Sequence, residues 1–431
     1  MKKEELIEKI ILSLKSKGSD INYLKWLRDK SLESIHKDID LKDVLHEIEK
    51  DIEYETKLFL DDKNKYDTNY ISGISTGIYL PDIESGSYKF KILGGTCKRN
   101  DNEMIDIDTK FDLASITKLY TLILLFKFEE YKFIDLNSKV KDINPDFQCL
   151  EDYTINDLVR LHGVLKTNGN VACAWNTKQA HRILRTVHLV DSSRKKNTYT
   201  DFGALIIGDT IEKIISRELG KNYKLDEVMD LFLFKPLGIK ETTYLPGPIN
   251  VAGNNNYLGL PHDPKSTALG GITGHAGLFS NSEGLIKLSD GLYNKNYLSD
   301  YNIKRLGEVT FDGSPKGNLG VYVKHPLGWD YTYTAPEYST GSFTHQGYTG
   351  GIASFDPNNK IHNNILVSAI YEGDEEIVHN GKPIGYSNRF REYQIKLTKE
   401  IMLMYILKTY YNKYIGIKED ISNTVKLSRN R

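Results

Sequence analysis

Cysteine and proline are scarce in this sequence, with three and 12 among 431 residues. Cys97, Cys149 and Cys173 are far apart and odd in number, which is not a disulfide framework, and no Cys-x-x-Cys or Cys/His spacing suggests zinc. Charge of one sign is lacking too: 57 basic residues face 58 acidic ones. A nucleic-acid partner would call for a basic excess or stripe, so none is expected. No apolar run spans a bilayer; the stretch at 119–126 is too short and too closely flanked by charge, so no membrane partner is expected either. The first residues, MKKEELIEKIILSLKSKG, begin with lysines, but Glu4, Glu5 and Glu8 interrupt them and the apolar part is too short for a signal peptide. Leu6, Ile7, Ile10, Ile11 and Leu14 instead share a helical face. These features predict a cytoplasmic protein.

The chain is long enough for one large or two ordinary domains. Residues 1–60 have a charged, helical period. ISGISTGIYL and YKFKIL, separated by DIESGS, read as a strand hairpin. After 318 strands return as NLGVYVKH, GGIASFDP and NILVSAIY, with a turn at Asp356–Asn359. A last amphipathic helix is expected from about Asn388 to Tyr411. This order predicts an α+β fold, an antiparallel sheet flanked by helices plus a mostly helical lobe. The expected parts are an N-terminal helical segment (1–60), a sheet lobe (61–135 with 310–412), a helical lobe (136–309) and a C-terminal tail (413–431).

One stretch carries chemistry. In FDLASITKLYTLILLF, Ser115 and Lys118 stand at the mouth of a helix that is apolar on nearly every face. Other Ser-x-x-Lys matches, such as Ser34/Lys37 and Ser138/Lys141, lie among charged or turn residues. A lysine in the first turn of a buried helix is desolvated, which lowers its pKa and frees it as a base. A serine there gains the helix N-terminus for developing negative charge. The alternative is a serine N-cap with a lysine that snorkels to water. Both readings of the stretch stand at this point.

FDLASITK resembles the first motif of the serine β-lactamase and penicillin-recognising family, in its esterase-like branch with the class C β-lactamase type of fold. Two further motifs follow in the family's order. NTYTDFGALIIG supplies Tyr199-Thr200-Asp201 before a helix, and FTHQGYTGGIASFDP supplies His345-Gln346-Gly347 leading into a strand. KPLGIKETTYLP and HDPKSTALGGITGHAGLFSNSEGL resemble connecting segments of the same branch. The resemblance covers roughly residues 70–410. It implies that Ser115 is the nucleophile, that Lys118 and Tyr199 share its proton, and that the backbone N–H groups of Ser115 and Tyr348 form the oxyanion hole. Asp201, His345, Gln346 and Gly347 would then meet the substrate. His162 and His275 are expected as loop or cap residues, and His262-Asp263 as a turn. No metal or other cofactor is expected.

Two departures from the family pattern narrow the substrate. Asp201 stands where many relatives have Asn, and an ionised carboxylate only accepts hydrogen bonds; near Lys118 it would pair with the amine and hold it charged. His345 replaces a fixed cationic lysine. Both weaken recognition of a substrate carboxylate. The expectation is therefore a serine hydrolase forming an acyl-enzyme on Ser115, foremost a carboxylesterase on a small-molecule ester or amide. Alternatives are an acyltransferase or cyclising thioesterase of a biosynthetic pathway, a DD-peptidase, and a binding or sensor module that retains only the fold.

Overall fold

The computed structural model describes the chain except residues 1–2, 37–40, 62–70, 83–85, 98–101, 191–197, 254–258, 311–315, 325–337, 368–377, 380–381, 384–387 and 430–431. The basic run at 194–196 and the tip of the first hairpin lie outside the described residues.

The principal sheet has six antiparallel strands in the order β2-β1-β10-β9-β8-β7. They are β1 (Gly73–Asp82), β2 (Gly86–Gly95), β7 (Tyr322–Val323), β8 (Phe343–Gln346), β9 (Ile352–Asp356) and β10 (Ile361–Val367). A small sheet, ordered β4-β6-β3-β5, joins β3 (Lys110–Asp112), β4 (Thr243–Tyr244), β5 (Val251–Ala252) and β6 (Leu278–Ser280). The expected hairpin is β1–β2. The strand expected over NLGVYVKH is mostly absent among the described residues: Asn318–Gly320 form a 3-10 turn, because Leu319 (φ 48°) and Gly320 (φ 88°) take left-handed backbone, and only Tyr322 and Val323 pair.

Side chains alternate across the sheet, so its strands feed two cores, β9 and β10 both of them. Ala353, Phe355, Leu366 and Phe343 face one, while Ile352, Ile361, Ile365 and Val367 face the other. The second core is completed by α1 (Lys3–Ser16), α2 (Ile21–His36), α3 (Leu41–Asp61) and the C-terminal helix α7. Helix α7 spans Asn388–Arg429, running well past Tyr411 into the stretch expected as a tail. Its apolar positions Leu397, Ile401, Met404 and Leu407 recur every three or four residues and are buried here. No described helix is long and apolar enough to cross a membrane.

The first core surrounds α4 (Thr117–Glu130), preceded by a 3-10 turn at Ala114–Ile116. Residues 117–126 and Phe128 are all buried, so α4 is enclosed on every side rather than along one stripe. Each such Leu, Ile or Phe contributes roughly 1.5–3 kcal/mol by leaving water. Helices α5 (Phe202–Leu219) and α6 (Ser282–Tyr293) pack around this core, with Ile206, Ile207 and Ile211 of α5 turned inward.

A glycine contact fixes the loop between α4 and α5. A Cβ on Gly274 would lie 2.3 Å from the Ala204 carbonyl oxygen, so the loop backbone rests directly on α5. From the other side, Thr121 Oγ1 of α4 donates to the Gly274 carbonyl at 2.7 Å. Gly274→Ala is expected to lower stability by about 1–3 kcal/mol through overpacking, read as a lower urea midpoint with an unchanged slope.

Candidate active site

The peptide that carries Ser115 is held by Asp112. Its Oδ1 accepts from Ala114 N at 2.8 Å, while Oδ2 accepts from His262 N at 2.8 Å and lies 3.0 Å from His262 Nδ1. Between Asp112 and Ser115 the chain turns sharply, with Ala114 at φ 43°. A non-glycine residue there is costly, and such strain persists only where the surroundings enforce it. The turn places Ser115 at the entry of α4.

Lys118, one helical turn on, does not snorkel; its side chain is 1 % exposed. Its ammonium donates to Ser115 Oγ at 2.7 Å and to the His275 carbonyl at 3.3 Å, and pairs with Asp201 Oδ1 at 2.9 Å. An ammonium has three donors, and three oxygens take them. Ser115 offers α4 no side-chain cap. The packing therefore favours the serine–lysine pair over the cap-and-snorkel alternative.

The expected lowering of the Lys118 pKa is corrected by the structure. Burial pushes the amine down, but the Tyr199 oxygen and the Asp201 carboxylate outweigh it and hold the amine above its ordinary value. Asp201 answers in kind. Burial raises its pKa, yet Lys118, His275 and Lys265 together hold it well below the usual carboxylate range.

Tyr199 and Asp201 are brought in by the start of α5. Asp201 occupies the N-cap position but makes no side-chain cap bond there. Its carboxylate is turned to the two lysines, forgoing a cap worth about 1 kcal/mol. The Tyr199 hydroxyl lies 3.2 Å from Ser115 Oγ. Its ring rests on Gly320, where a Cβ would fall 2.2 Å from Tyr199 Cε2. Two ammoniums attend the same ring, Lys118 Nζ at 5.2 Å and Lys316 Nζ at 4.2 Å from its centroid.

The third motif lies on β8 and the turn after it. His345 is buried on the face that Phe343 presents to the first core. Its Nδ1 is 3.0 Å from the Gln346 carbonyl, and its Nε2 is 3.4 Å from the Leu319 carbonyl. Burial, then the charge on Lys118, depress it to about 3, so the ring is neutral. Gln346 Oε1 is buried without a hydrogen-bond partner. The turn closes by Gly347 N to the Gly351 carbonyl at 2.8 Å. It docks beside Ser115: a Cβ on Gly347 would meet the Leu113 carbonyl at 2.7 Å, and Thr349 Oγ1 donates to the Asp112 carbonyl at 2.7 Å. Tyr348, half exposed, follows Gly347 in that turn.

Several neighbours were not singled out from the sequence. Lys265 Nζ pairs with Asp201 Oδ2 at 2.9 Å. The residues expected as a turn and a loop, Asp263 and His275, form a pair at 2.8 Å beside it. His262, expected in the same turn, is the partner of Asp112. Asp263 also caps a short helix, Pro264–Ala268, which presents Lys265 to Asp201. Asp-Pro at a helix start was a readable signal for that local geometry, though not for what it faces. The ligand atoms of Asp201, Asp263 and His275 lie within 4.8 Å of one another, a spacing that suits a cation. Two ammoniums already serve Asp201 from within the chain. His162 pairs with Asp157 at 2.8 Å, away from these groups, and Trp175 is 91 % exposed.

The Beta-lactamase family model matches residues 72–380. A curated relative, a putative D-alanyl-D-alanine carboxypeptidase of Salmonella agona, is 28 % identical over 305 residues, 58 % of this chain and 67 % of that protein. Two solved structures share the fold. EstCE1, a hydrolase with promiscuous acyltransferase activity, matches with a TM-score of 0.58 at 16 % identity, over 83 % of this chain and 99 % of the other. The D-amino acid amidase of Ochrobactrum anthropi SV3 matches with a TM-score of 0.58 at 16 % identity, over 82 % of this chain and 99 % of the other.

Two predictions arise here. Gly320→Ala is expected to displace the Tyr199 ring and slow Ser115 acylation at least tenfold, measured with an activated ester. His345 and His362 are both buried with pKa values of about 3. A histidine with a depressed folded-state pKa binds protons more readily once unfolded. Its contribution is therefore full above about pH 6.5 and is lost as the pH falls below that. Urea unfolding at pH 5 should show less stability than at pH 7, by on the order of 1–2 kcal/mol per histidine, and His362→Asn should reduce the difference.

Proposed function

The chain belongs to the Beta-lactamase family of serine hydrolases, and from that premise we propose that it is a carboxylesterase acting on a small-molecule ester or amide through an acyl-enzyme on Ser115. The observation that carries this is the convergence of Lys118 Nζ and the Tyr199 hydroxyl on Ser115 Oγ.

Ser115 Oγ attacks the substrate carbonyl carbon while its proton passes to the Tyr199–Lys118 unit. Lys118 keeps its proton and donates to three oxygens, so the acceptor is the Tyr199 oxygen, which takes the serine proton after giving up its own and is steadied by the ammonium beside its ring. The same unit returns the proton to the departing alcohol or amine. Water then attacks the acyl carbon, gives up its proton by the same route, and releases the acid and the free serine. A positioned acid–base group contributes about 10²–10⁴-fold. The negative oxygen of the tetrahedral intermediate is received by the N–H groups of Ser115 and Tyr348, at the junction where the Gly347 turn docks on Leu113. Neutral His345 makes an uncharged substrate the natural fit on that side.

A second reading, peptidase action on a chain ending in a free carboxylate, is favoured by Lys316 above the Tyr199 ring and by the similarity to a putative D-alanyl-D-alanine carboxypeptidase. Labelling with a fluorophosphonate probe followed by peptide mapping tests the nucleophile. A single adduct on Ser115, absent from Ser115→Ala, is expected; an adduct that survives the substitution would sink the assignment. Comparing p-nitrophenyl acetate with an N-acylated D-alanyl-D-alanine peptide separates the two substrate readings: the esterase reading expects turnover of the first and little of the second.

A further inference from the structure

Asp201 raises a difficulty. A carboxylate 2.9 Å from the Lys118 ammonium stabilises its charged form and so resists the loss of a proton from it. Its other oxygen, Oδ2, is not left to the pocket, because Lys265 Nζ sits 2.9 Å from it. Lys265 is two residues from Asp263, which is committed to His275 through a 2.8 Å contact.

We propose that Lys265 is a positioning residue of this active site: by engaging Oδ2 it offsets part of the charge that Asp201 exerts on Lys118, and so eases the release of a proton from the Ser115–Lys118–Tyr199 unit. The proposal rests on the acyl-enzyme reading of Ser115. An aspartate in the second motif and a lysine on the Pro264–Ala268 helix thus form one device, a neutral pair in place of a neutral amide. Asp201 remains ionised and holds Lys118 in place, while Lys265 offsets part of its field at the base.

The surrounding charges are consistent with this. Facing Lys118 are Tyr199 and Asp201 from the start of α5, His275 through its carbonyl, Lys316 beyond the Tyr199 ring and His345 from β8. Facing Lys265 are Asp201, Asp263 and, across the shared carboxylate, Lys118. Burial pushes Lys265 down and Lys118 adds to that, but Asp201 and Asp263 outweigh both, so Lys265 keeps its charge. Burial and Lys118 both push Lys316 down.

The test is the pH dependence of kcat/KM for p-nitrophenyl acetate, with the rate of fluorophosphonate labelling of Ser115 as a second readout. Removing the Lys265 charge exposes the base to the full field of Asp201, which favours its protonated form. Lys265→Met is therefore expected to move the acidic limb of both profiles up by about one pH unit, with activity largely recovered at high pH. Lys265→Arg should leave the limb near its wild-type position. The doubly neutral variant, Asp201→Asn with Lys265→Met, should bring the limb back to the wild-type position or below it, even with a lower plateau. A uniform loss at every pH in Lys265→Met, with the limb unmoved, would mark a merely structural lysine and overturn the proposal. So would a double variant displaced as far as Lys265→Met alone. Failure of the probe to label Ser115 in the wild type overturns the acyl-enzyme reading as well, whereas labelling with an unmoved limb overturns only the role of Lys265.

Discussion

One buried ammonium organises this molecule. Lys118 stands in the first turn of a helix enclosed on all sides, where an unpaired charge would be untenable. It is tolerated because three separate parts of the chain bring it an oxygen: the serine one turn back, the residue that begins α5, and the loop wedged between α4 and α5. Each contribution constrains its own element. The helix start forgoes its cap, the loop must be glycine at 274, and the serine must sit on a strained turn. The site is thus less an addition to the fold than the condition under which this core can close.

The electrostatic character follows from the same point. Burial and pairing act on Lys118 in opposite directions, and pairing prevails. Burial acts on His345 with Lys118 pushing the same way, so that ring is neutral. Two buried side chains that feel each other's field, one kept charged and one kept neutral, give the site a cationic side and an uncharged side.

Part of this was legible in the sequence. Ser115 and Lys118 are one turn apart and followed by a run apolar on every face, so local spacing is enough to place both. The pairing of Asp201 with Lys118 was also foreseeable, given the family order of motifs. Burial alone predicted a lowered Lys118 and the Asp201 pairing a charged one; which of the two prevails depends on the strength of the partners, which is not local information. Lys265, Lys316 and the Asp263–His275 pair escaped for a related reason: each lies tens of residues from what it touches, and only the packing of α4, α5 and the loops brings them together. The strand expected from Asn318 gave way because left-handed backbone at Leu319 and Gly320 makes room for the Tyr199 ring. There the packing of one aromatic ring overrode β propensity.

The helices α1–α3 lie outside the stretch matched by the family model, yet they are not appended to it loosely. The link between α1 and α2 reaches across the sheet: Lys17 Nζ donates to the side chain of Asn359 and to the carbonyl of Asn358, and Thr340 N donates to the Lys17 carbonyl. Those contacts grip the two ends of the β8–β9 hairpin that carries His345. The unit that evolution reuses and the unit that folds are therefore different in extent. A boundary drawn at residue 72 would bisect a hydrophobic core, baring Ile74, Ile78, Ile365 and Val367 to water.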